Sequence, residues 1–584
     1  MSKASIKWIS GPVLRAQAQG VFFINEAVRV GEQNLLGEVI RIQEQEIVAQ
    51  VYEDTSGLRP GVTVQGSGLP LAVRLGPGLL GNIFDGLLRP LSGTRSKFVA
   101  PGMYAPIVGT FPFAPAVKNG ERVLGGMVFG SVQPVDGKTQ RCLLPPSLEG
   151  EVVDIVAAGE YAEDKTLCKV QAPDGSVHEV AMSHLWPVRT PRPIAERLPV
   201  SGPMLTGQRI LDGLFPVARG GKAALPGGFG TGKTVLQETL AKWCDADIIV
   251  YVGCGERGNE MSGVLHEFPR LEDPRSGRPL MERTVIIANV SNMPVAAREA
   301  SIYTGVTVAE YFRDQGMHVA LMADSTSRWA EALREVSGRL GELPAEAGYP
   351  AYLSSRLADF YERAARVRTL AGDEGSVTLI GAISPPGGDF SEPVTTHTKR
   401  YVRCFWALDR NRANARFYPA IHPLQSYSED VPALASWWQA NGNPQWLAAR
   451  GQFLTLLEQH AHLERMARIV GKEALPPRQQ LILLCADMVN EGFLRQSAIS
   501  PVDRYASPQR QMAMMQLLRR FMELAEKALS EGVSVDRLTQ LPITRRLQRM
   551  GEDVPEDRHQ LFEEIGAQLE SDFVSLKGAV SRAS

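Results

Sequence analysis

The sequence predicts a multidomain α/β protein. It reads as a small N-terminal β-barrel over residues 1–78, an inserted β-rich bulge module over 79–195, a mainly parallel α/β domain over 196–430 and a helical C-terminal domain over 431–584. Three patterns predict this. Up to residue 78, short stretches alternate apolar and polar residues between glycine-bearing turns, as antiparallel strands with one buried face do. Between 196 and 430 the strand candidates are almost continuously apolar and alternate with helical patterns, as a parallel sheet covered on both faces requires. Beyond 431 the apolar residues recur at helical spacing.

In the first part the strand candidates are "GPVLRAQAQ", "EAVRVGE", "GEVIRIQEQEIVAQVYE" and "VTVQGSG", a set that suits a small antiparallel barrel. The Gly- and Pro-rich stretch that follows holds further strand candidates such as "EVVDIVAAGEY", so it reads as a folded insertion rather than a linker. The α/β region offers "ADIIVYVGC", "RTVIIANVS", "HVALMADS", "SVTLIGAIS" and "CFWALD". Helical periodicity then runs through "QWLAARGQFLTLLEQHAHLERMARIV" and "RQMAMMQLLRRFMELAEKALSEG". No internal repeat or low-complexity tract interrupts these parts.

Bulk properties narrow the function classes. A chain of 584 residues is too long for a single core. Its 44% hydrophobic and 22% charged residues are an ordinary globular balance, and a net charge of -2 recommends neither nucleic acid nor anionic lipid as partner. The six cysteines are scattered without metal-ligand or redox spacing, which suits a reducing compartment. The first residues, "MSKASIKWISGPVLRAQ", lack the apolar core of a signal peptide, and no apolar run is long enough to span a bilayer. The expected location is cytoplasmic, peripheral to a membrane only through other subunits.

The most informative stretch is Gly227-Gly228-Phe229-Gly230-Thr231-Gly232-Lys233-Thr234, which fits the P-loop pattern G-x-x-x-x-G-K-[ST] in full. Glycines let such a loop curl so that successive N–H groups point inward at phosphate oxygens, and the helix that follows adds its positive end. Lys233 can then reach the β and γ phosphates, and the Thr234 hydroxyl can ligate magnesium.

Two further features speak to hydrolysis. "HVALMAD" ends in Asp324, where an acid can anchor the magnesium shell; the plainer reading is a helix N-cap, because "DSTSRWAEALRE" follows. The strand "DIIVYVG" is expected beside the P-loop strand, bringing Glu256 of "VGCGERGNEM" near the γ-phosphate to orient the attacking water, with Arg257 offsetting phosphoryl charge. Glu260 is a rival base in the same loop, and a salt-bridged Glu256–Arg257 pair is the plainer alternative.

Taken with "MADSTSRWAEALREVSGRLGELPAEAGYPAYL" and "GAISPPGGDFSEPVT", these residues resemble the catalytic A subunit of V-type and archaeal-type rotary ATPases over essentially the whole chain. The resemblance implies a RecA-like form of the central domain and an ATP/ADP and Mg2+ site. Its nucleotide contacts fall on Gly227 through Thr234 and Val235, its water-activating glutamate on Glu256, the neighbouring arginine on Arg257 and its metal-side acid on Asp324. An aromatic base pocket is also implied, for which Phe417 and Tyr418 of "RFYPAIHPLQSYS" and Tyr505 of "SPVDRYASPQRQ" are the candidates; each ring reads equally well as core. Thr231 departs from the usual Cys or Ser, and "FYPAIHPL" is closer to the F-type form of that segment.

The resemblance further implies a B-type partner that supplies an arginine finger, central- and peripheral-stalk subunits, an alternating A3B3 ring, and ion movement in a separate membrane sector. F-type catalytic subunits and export-apparatus ATPases share the chemistry but lack the insertion at 79–195. A ring-shaped RNA translocase would need basic and aromatic clusters in its barrel, and residues 1–78 have few, so nucleic acid is not expected as a partner.

Overall fold

Alternation of apolar and polar residues produces the barrel. Its strands are β1 (Lys3–Ser10), β2 (Val13–Ala18), β3 (Glu26–Val30), β4 (Leu35–Gln43), β5 (Glu46–Val51) and β6 (Thr63–Pro70), closed in the order β1-β2-β5-β4-β3-β6. Leu14, Ala16, Val28, Val30, Val39, Ala49 and Val64 point inward and are fully buried. The stretch "GEVIRIQEQEIVAQVYE" makes two strands, because Glu44 takes a left-handed φ of 53° and turns the chain back. β1 lay outside the four stretches singled out by alternation; its pattern breaks at a register irregularity between Ile6 and Trp8.

The computed structural model describes residues 2–91, 102, 109–133 and 139–581, with side chains to 576. Parts of the insertion expected over 79–195, namely 92–101, 103–108 and 134–138, lie outside the described residues, as do 582–584. The strands of the insertion between residues 110 and 180 form two four-stranded antiparallel sheets around a shared core of Phe113, Phe129, Val152 and Val170. "EVVDIVAAGEY" gives one strand to each sheet, Gly150–Ile155 and Gly159–Ala162. Ala72–Leu75 and His184–Pro187 pair antiparallel and hold the two ends of the insertion together.

The chain divides into two compact units. The first comprises Met1–Pro199, Arg219–Ala224 and Ala246–Val402; the second comprises Val200–Ala218, Leu225–Asp245 and Arg403–Ser584. In the first unit, strands Glu374–Ile383, His318–Asp324, Ile248–Glu256, Thr284–Val290 and Ile83–Phe84 pair in that order, all parallel. Four of the five apolar runs of the sequence thus became core strands of a parallel sheet. Helix Val295–Asp314 packs beside them and is buried on every side except at Val295.

The strand Lys222–Pro226, which leads into the glycine-rich loop, lies next to Glu374–Ile383. This corrects the expectation that the Glu256 strand is its neighbour, since two strands stand between them. An apolar run reports burial on both faces but not which strand lies alongside, because parallel neighbours are joined by long crossovers.

The second unit holds the loop, the helix Lys233–Trp243 and the C-terminal helices, the longest being Trp446–Val470 and Pro508–Ser530. "CFWALD" yields only a two-residue strand, Cys404–Phe405, antiparallel to Tyr427–Ser428. Beyond it Ala407 bonds the Ser426 hydroxyl through its N–H, and the ladder stops. Trp438 and Trp446 stack at 5.3 Å in the helical core. Arg209 and Arg510, both fully buried, share Asp503. Among the described residues no helix is long and apolar enough to cross a membrane.

Candidate active site

The glycine-rich loop is shaped by two left-handed residues. Gly230 and Gly232 have φ of 77° and 82°, where a side chain is strained, and Gly232 is the N-cap of helix Lys233–Trp243. Gly227 is needed for another reason: a Cβ there would lie 2.6 Å from Thr231 Oγ1 and 2.8 Å from Leu408 Cδ1. Thr231 is buried and its hydroxyl donates to the Gly228 carbonyl at 2.8 Å, closing the turn from inside. Gly228 is half-buried and Phe229, at the tip, is 83% exposed. Lys233 and Thr234 occupy the first turn and are half-buried, while Val235 is exposed. A loop with N–H groups at a helix start and a lysine in the first turn can bind phosphate.

The three aromatic candidates lie in the same unit as the loop, in different settings. The Tyr418 hydroxyl bonds Thr239 Oγ1 at 2.5 Å and the Val235 carbonyl at 3.4 Å, fastening this ring to the phosphate-loop helix. Burial raises its pKa well above the ordinary tyrosine value. Phe417 carries two guanidiniums, Arg412 at 4.1 Å and Arg495 at 4.6 Å from its centroid. Burial, with Arg495 alongside, brings Arg412 down to about 10. Tyr505 stacks on Trp243 at 5.2 Å, and a Cβ on Gly207 would overlap its ring. Tyr418 and Tyr505 thus both reach the phosphate-loop helix, one by its hydroxyl at Val235 and Thr239 and the other by its ring at Trp243.

The acidic candidates belong to the first unit. Glu256 is the last residue of its strand and 7% exposed; Asp324 is the last residue of the adjacent parallel strand and 1% exposed. The register pairs Gly253 with Asp324, so both acids stand at the carboxyl edge of the sheet. That edge is where open α/β sheets bind ligands. The N-cap reading of Asp324 is corrected: Ser325 holds the cap position of helix Thr326–Leu340, and the Asp324 carboxylate receives the Tyr251 hydroxyl at 3.5 Å. Arg257 is exposed and caps helix Gly258–Glu267, and Glu260 is half-buried on its first turn.

A local irregularity aims Glu256. Pairing with Thr284–Val290 slips between Cys254 and Glu256, and Gly255 between them has φ of 71°. A bulge of this kind re-aims the side chain beside it. A Cβ on Gly255 would meet Arg298 Cδ at 2.7 Å and Arg328 Cβ at 3.0 Å. Sequence reading missed both arginines. The only local signal was the position of Arg328 in "DSTSRW", one turn beyond Asp324; nothing near Arg298 in sequence points to the bulge.

A glycine-rich phosphate loop ahead of a helix, with acids at the carboxyl edge of a mainly parallel sheet, defines a P-loop nucleotide-binding α/β protein. Residues 207–428 match the nucleotide-binding domain of the ATP synthase alpha/beta family, 6–68 its beta-barrel domain and 109–189 its barrel-sandwich domain; 435–539 match the C-terminal domain of V and A type ATP synthase. The chain belongs to the ATP synthase alpha/beta family, in the branch of the A-type A subunits and V-type alpha chains.

It is 52% identical over 550 residues to the A subunit of the A-type ATP synthase of Thermococcus sibiricus, covering 93% of this chain and 94% of the relative. To the V-type ATP synthase alpha chain of Halothermothrix orenii it is 49% identical over 575 residues, covering 97% and 98%. The solved structure of the assembled ATPase EscN of an enteropathogenic E. coli type III secretion system shares the fold, with a TM-score of 0.64, 23% identity, and coverage of 88% and 99%.

Proposed function

We propose that this chain is the catalytic subunit of a rotary A-type/V-type ATP synthase, which makes or hydrolyses ATP and couples that chemistry to proton or sodium movement through a separate membrane sector. The observation that carries the reading is the loop Gly227–Thr234, with its two left-handed glycines and Lys233 in the first helical turn, in a chain about half identical to an A-type A subunit over nearly its full length. The acids at the carboxyl edge support hydrolysis as well as binding.

In this reading the loop amides and Lys233 hold the β and γ phosphates of ATP. Glu256 orients the attacking water and accepts its proton, and Arg257 offsets charge on the phosphoryl group. The hydroxyl of Thr234 and the carboxylate of Asp324 are hard oxygen donors that suit Mg2+, which would neutralise phosphate charge when bound. Among the described residues no three His, Cys, Asp or Glu side chains cluster to hold an ion by themselves. A magnesium held by Thr234 and Asp324 would take phosphate and water as further ligands, as Mg2+ in such sites usually does. Tyr418, with Phe417 and Tyr505 as further candidates, contacts the base.

The transferring phosphoryl group needs a further positive charge. A B-type neighbour supplies it as an arginine finger, worth roughly 10³–10⁵ in rate, within an alternating A3B3 ring that stalk subunits attach to the membrane sector. An export-apparatus role is not favoured, since the likeness to EscN is one of fold. The test is ATP turnover by the purified chain alone and after assembly with its B-type partner. Low turnover alone and a rise of at least about 10³-fold on assembly support the reading. Full turnover by the isolated chain overturns it, and stimulation by RNA would favour a translocase.

A further inference from the structure

Arg298 stands at the first turn of the buried helix Val295–Asp314 and is 9% exposed. Removing a guanidinium from water is costly unless partners compensate. Yet among the described residues no carboxylate lies within ion-pair distance of Arg298, and its Nε, fully enclosed, has no hydrogen-bond partner. An enclosed arginine without a direct ion pair calls for an explanation in what its side chain touches.

Its contacts converge on the bulge that carries Glu256. The Arg298 Nη2 donates to the Ser291 carbonyl at 3.1 Å, and the Ser291 N–H donates to the Glu256 carbonyl at 2.8 Å. The stem of Arg298 lies against the Gly255 Cα so closely that a Cβ would approach Cδ and Nε to 2.7 Å. The Cys254 thiol donates to the Arg298 carbonyl at 3.5 Å. Burial pushes that thiol up to about 12, against the Ser301 hydrogen bond and the Arg298 charge, which lower it. Three consecutive residues, Cys254, Gly255 and Glu256, are thus braced by Arg298 directly or through Ser291.

We propose that Arg298 is a positioning residue for ATP turnover, fixing the direction of the Glu256 carboxylate by clamping the Gly255 bulge from behind. The proposal rests on Glu256 as the water-orienting group. The extra residue of a bulge is unpaired, so the strand ladder alone does not fix its shape. The stem of Arg298 excludes the space into which Gly255 would relax, and its hydrogen bond to Ser291 holds the residue that receives the Glu256 carbonyl. A displacement of about 1 Å in a catalytic group costs on the order of 10²-fold in rate, so the clamp affects kcat without touching the nucleotide.

The test uses the full chain assembled with its partner subunits and reads kcat, KM for ATP and thermal midpoint for Arg298→Met, Arg298→Ala and Arg298→Lys, with Glu256→Gln as control. Methionine refills the stem volume but cannot bond Ser291, so it carries the test if the alanine variant fails to fold. The expected result is a kcat lower by about 10–100-fold for Arg298→Met, KM within about twofold, and recovery of much of the loss by Arg298→Lys. A wild-type kcat in Arg298→Met, or a loss of kcat that lysine does not recover and that tracks a fall in thermal midpoint, overturns the proposal. Retained turnover in Glu256→Gln would instead overturn the assignment of the base, which separates the two failures.

Discussion

The phosphate loop and the acidic sheet edge are built by opposite means. The loop is a matter of local backbone: two glycines in the left-handed region, one internal hydrogen bond from Thr231 and a helix start lie within eight residues. At the edge, Glu256 and Asp324 are 68 positions apart in the chain and meet because their strands pair in parallel register. Glu256 then follows a bulge against which Arg298 and Arg328, from two different helices, lie closely. The proposed phosphate site is thus encoded in a short word, whereas the aim of the proposed water-orienting group is a tertiary property. Substitutions in the two regions should therefore fail in different ways.

The largest effect is expected at the edge. Glu256→Gln keeps size and shape but cannot accept a proton, so kcat in the assembled complex should drop by about 10²–10⁴-fold with nucleotide affinity nearly unchanged. Single-turnover hydrolysis beside a binding titration measures both. Lys233→Ala should show the converse pattern first in binding. If Lys233 holds phosphate as proposed, losing that charge-assisted contact should weaken ATP affinity by about 10–100-fold, read by calorimetry on the full chain. If the two variants showed the same profile, the division between a holding region and an aiming region would not stand.

A pair of glycines sharpens the contrast. Gly230 and Gly255 both have positive φ, near 77° and 71°, but a Cβ on Gly230 meets nothing within 4 Å, whereas on Gly255 it overlaps the Arg298 stem. Gly230→Ala should cost only left-handed strain, about 1–2 kcal/mol. Gly255→Ala adds overpacking, for a total of about 2–5 kcal/mol, and should also lower kcat because the overlap is relieved by moving the bulge. Urea unfolding of the two variants, run beside turnover, separates these terms.

How much of this was legible follows the same division. The loop could be read residue by residue because its conformation is dictated by Gly227, Gly230 and Gly232 and its helix follows at once. The barrel and four of the five central strands were legible from period and apolarity, since burial on one face or two leaves its mark on composition. The neighbour of the loop strand was not, for the reason that local sequence carries no address for a parallel partner. The cut of "GEVIRIQEQEIVAQVYE" into two strands turned on one non-glycine residue, Glu44, in a left-handed turn, which alternation cannot announce. Arg298 was hidden because its partners Ser291, Cys254 and Gly255 become its neighbours only after folding.

The smallest effect is expected at Tyr418, where the two halves of the side chain have separable roles. Its hydroxyl bonds Thr239 and the Val235 carbonyl, but Thr239 has its own bond to Val235 at 2.8 Å. Tyr418→Phe therefore removes both contacts of the hydroxyl, neither of them fully buried, while Thr239 and the Val235 carbonyl stay bonded to each other, at a cost of about 0.5–1.5 kcal/mol of stability. If the ring contacts the base, ATP affinity should move less than about threefold in Tyr418→Phe. In Tyr418→Ala, loss of a stacking face should weaken ATP by about tenfold, because aromatic stacking is worth about 1–3 kcal/mol per base. Equal affinities for the phenylalanine and alanine variants would assign Tyr418 to fastening the phosphate-loop helix alone, and the base contact would pass to Phe417 or Tyr505.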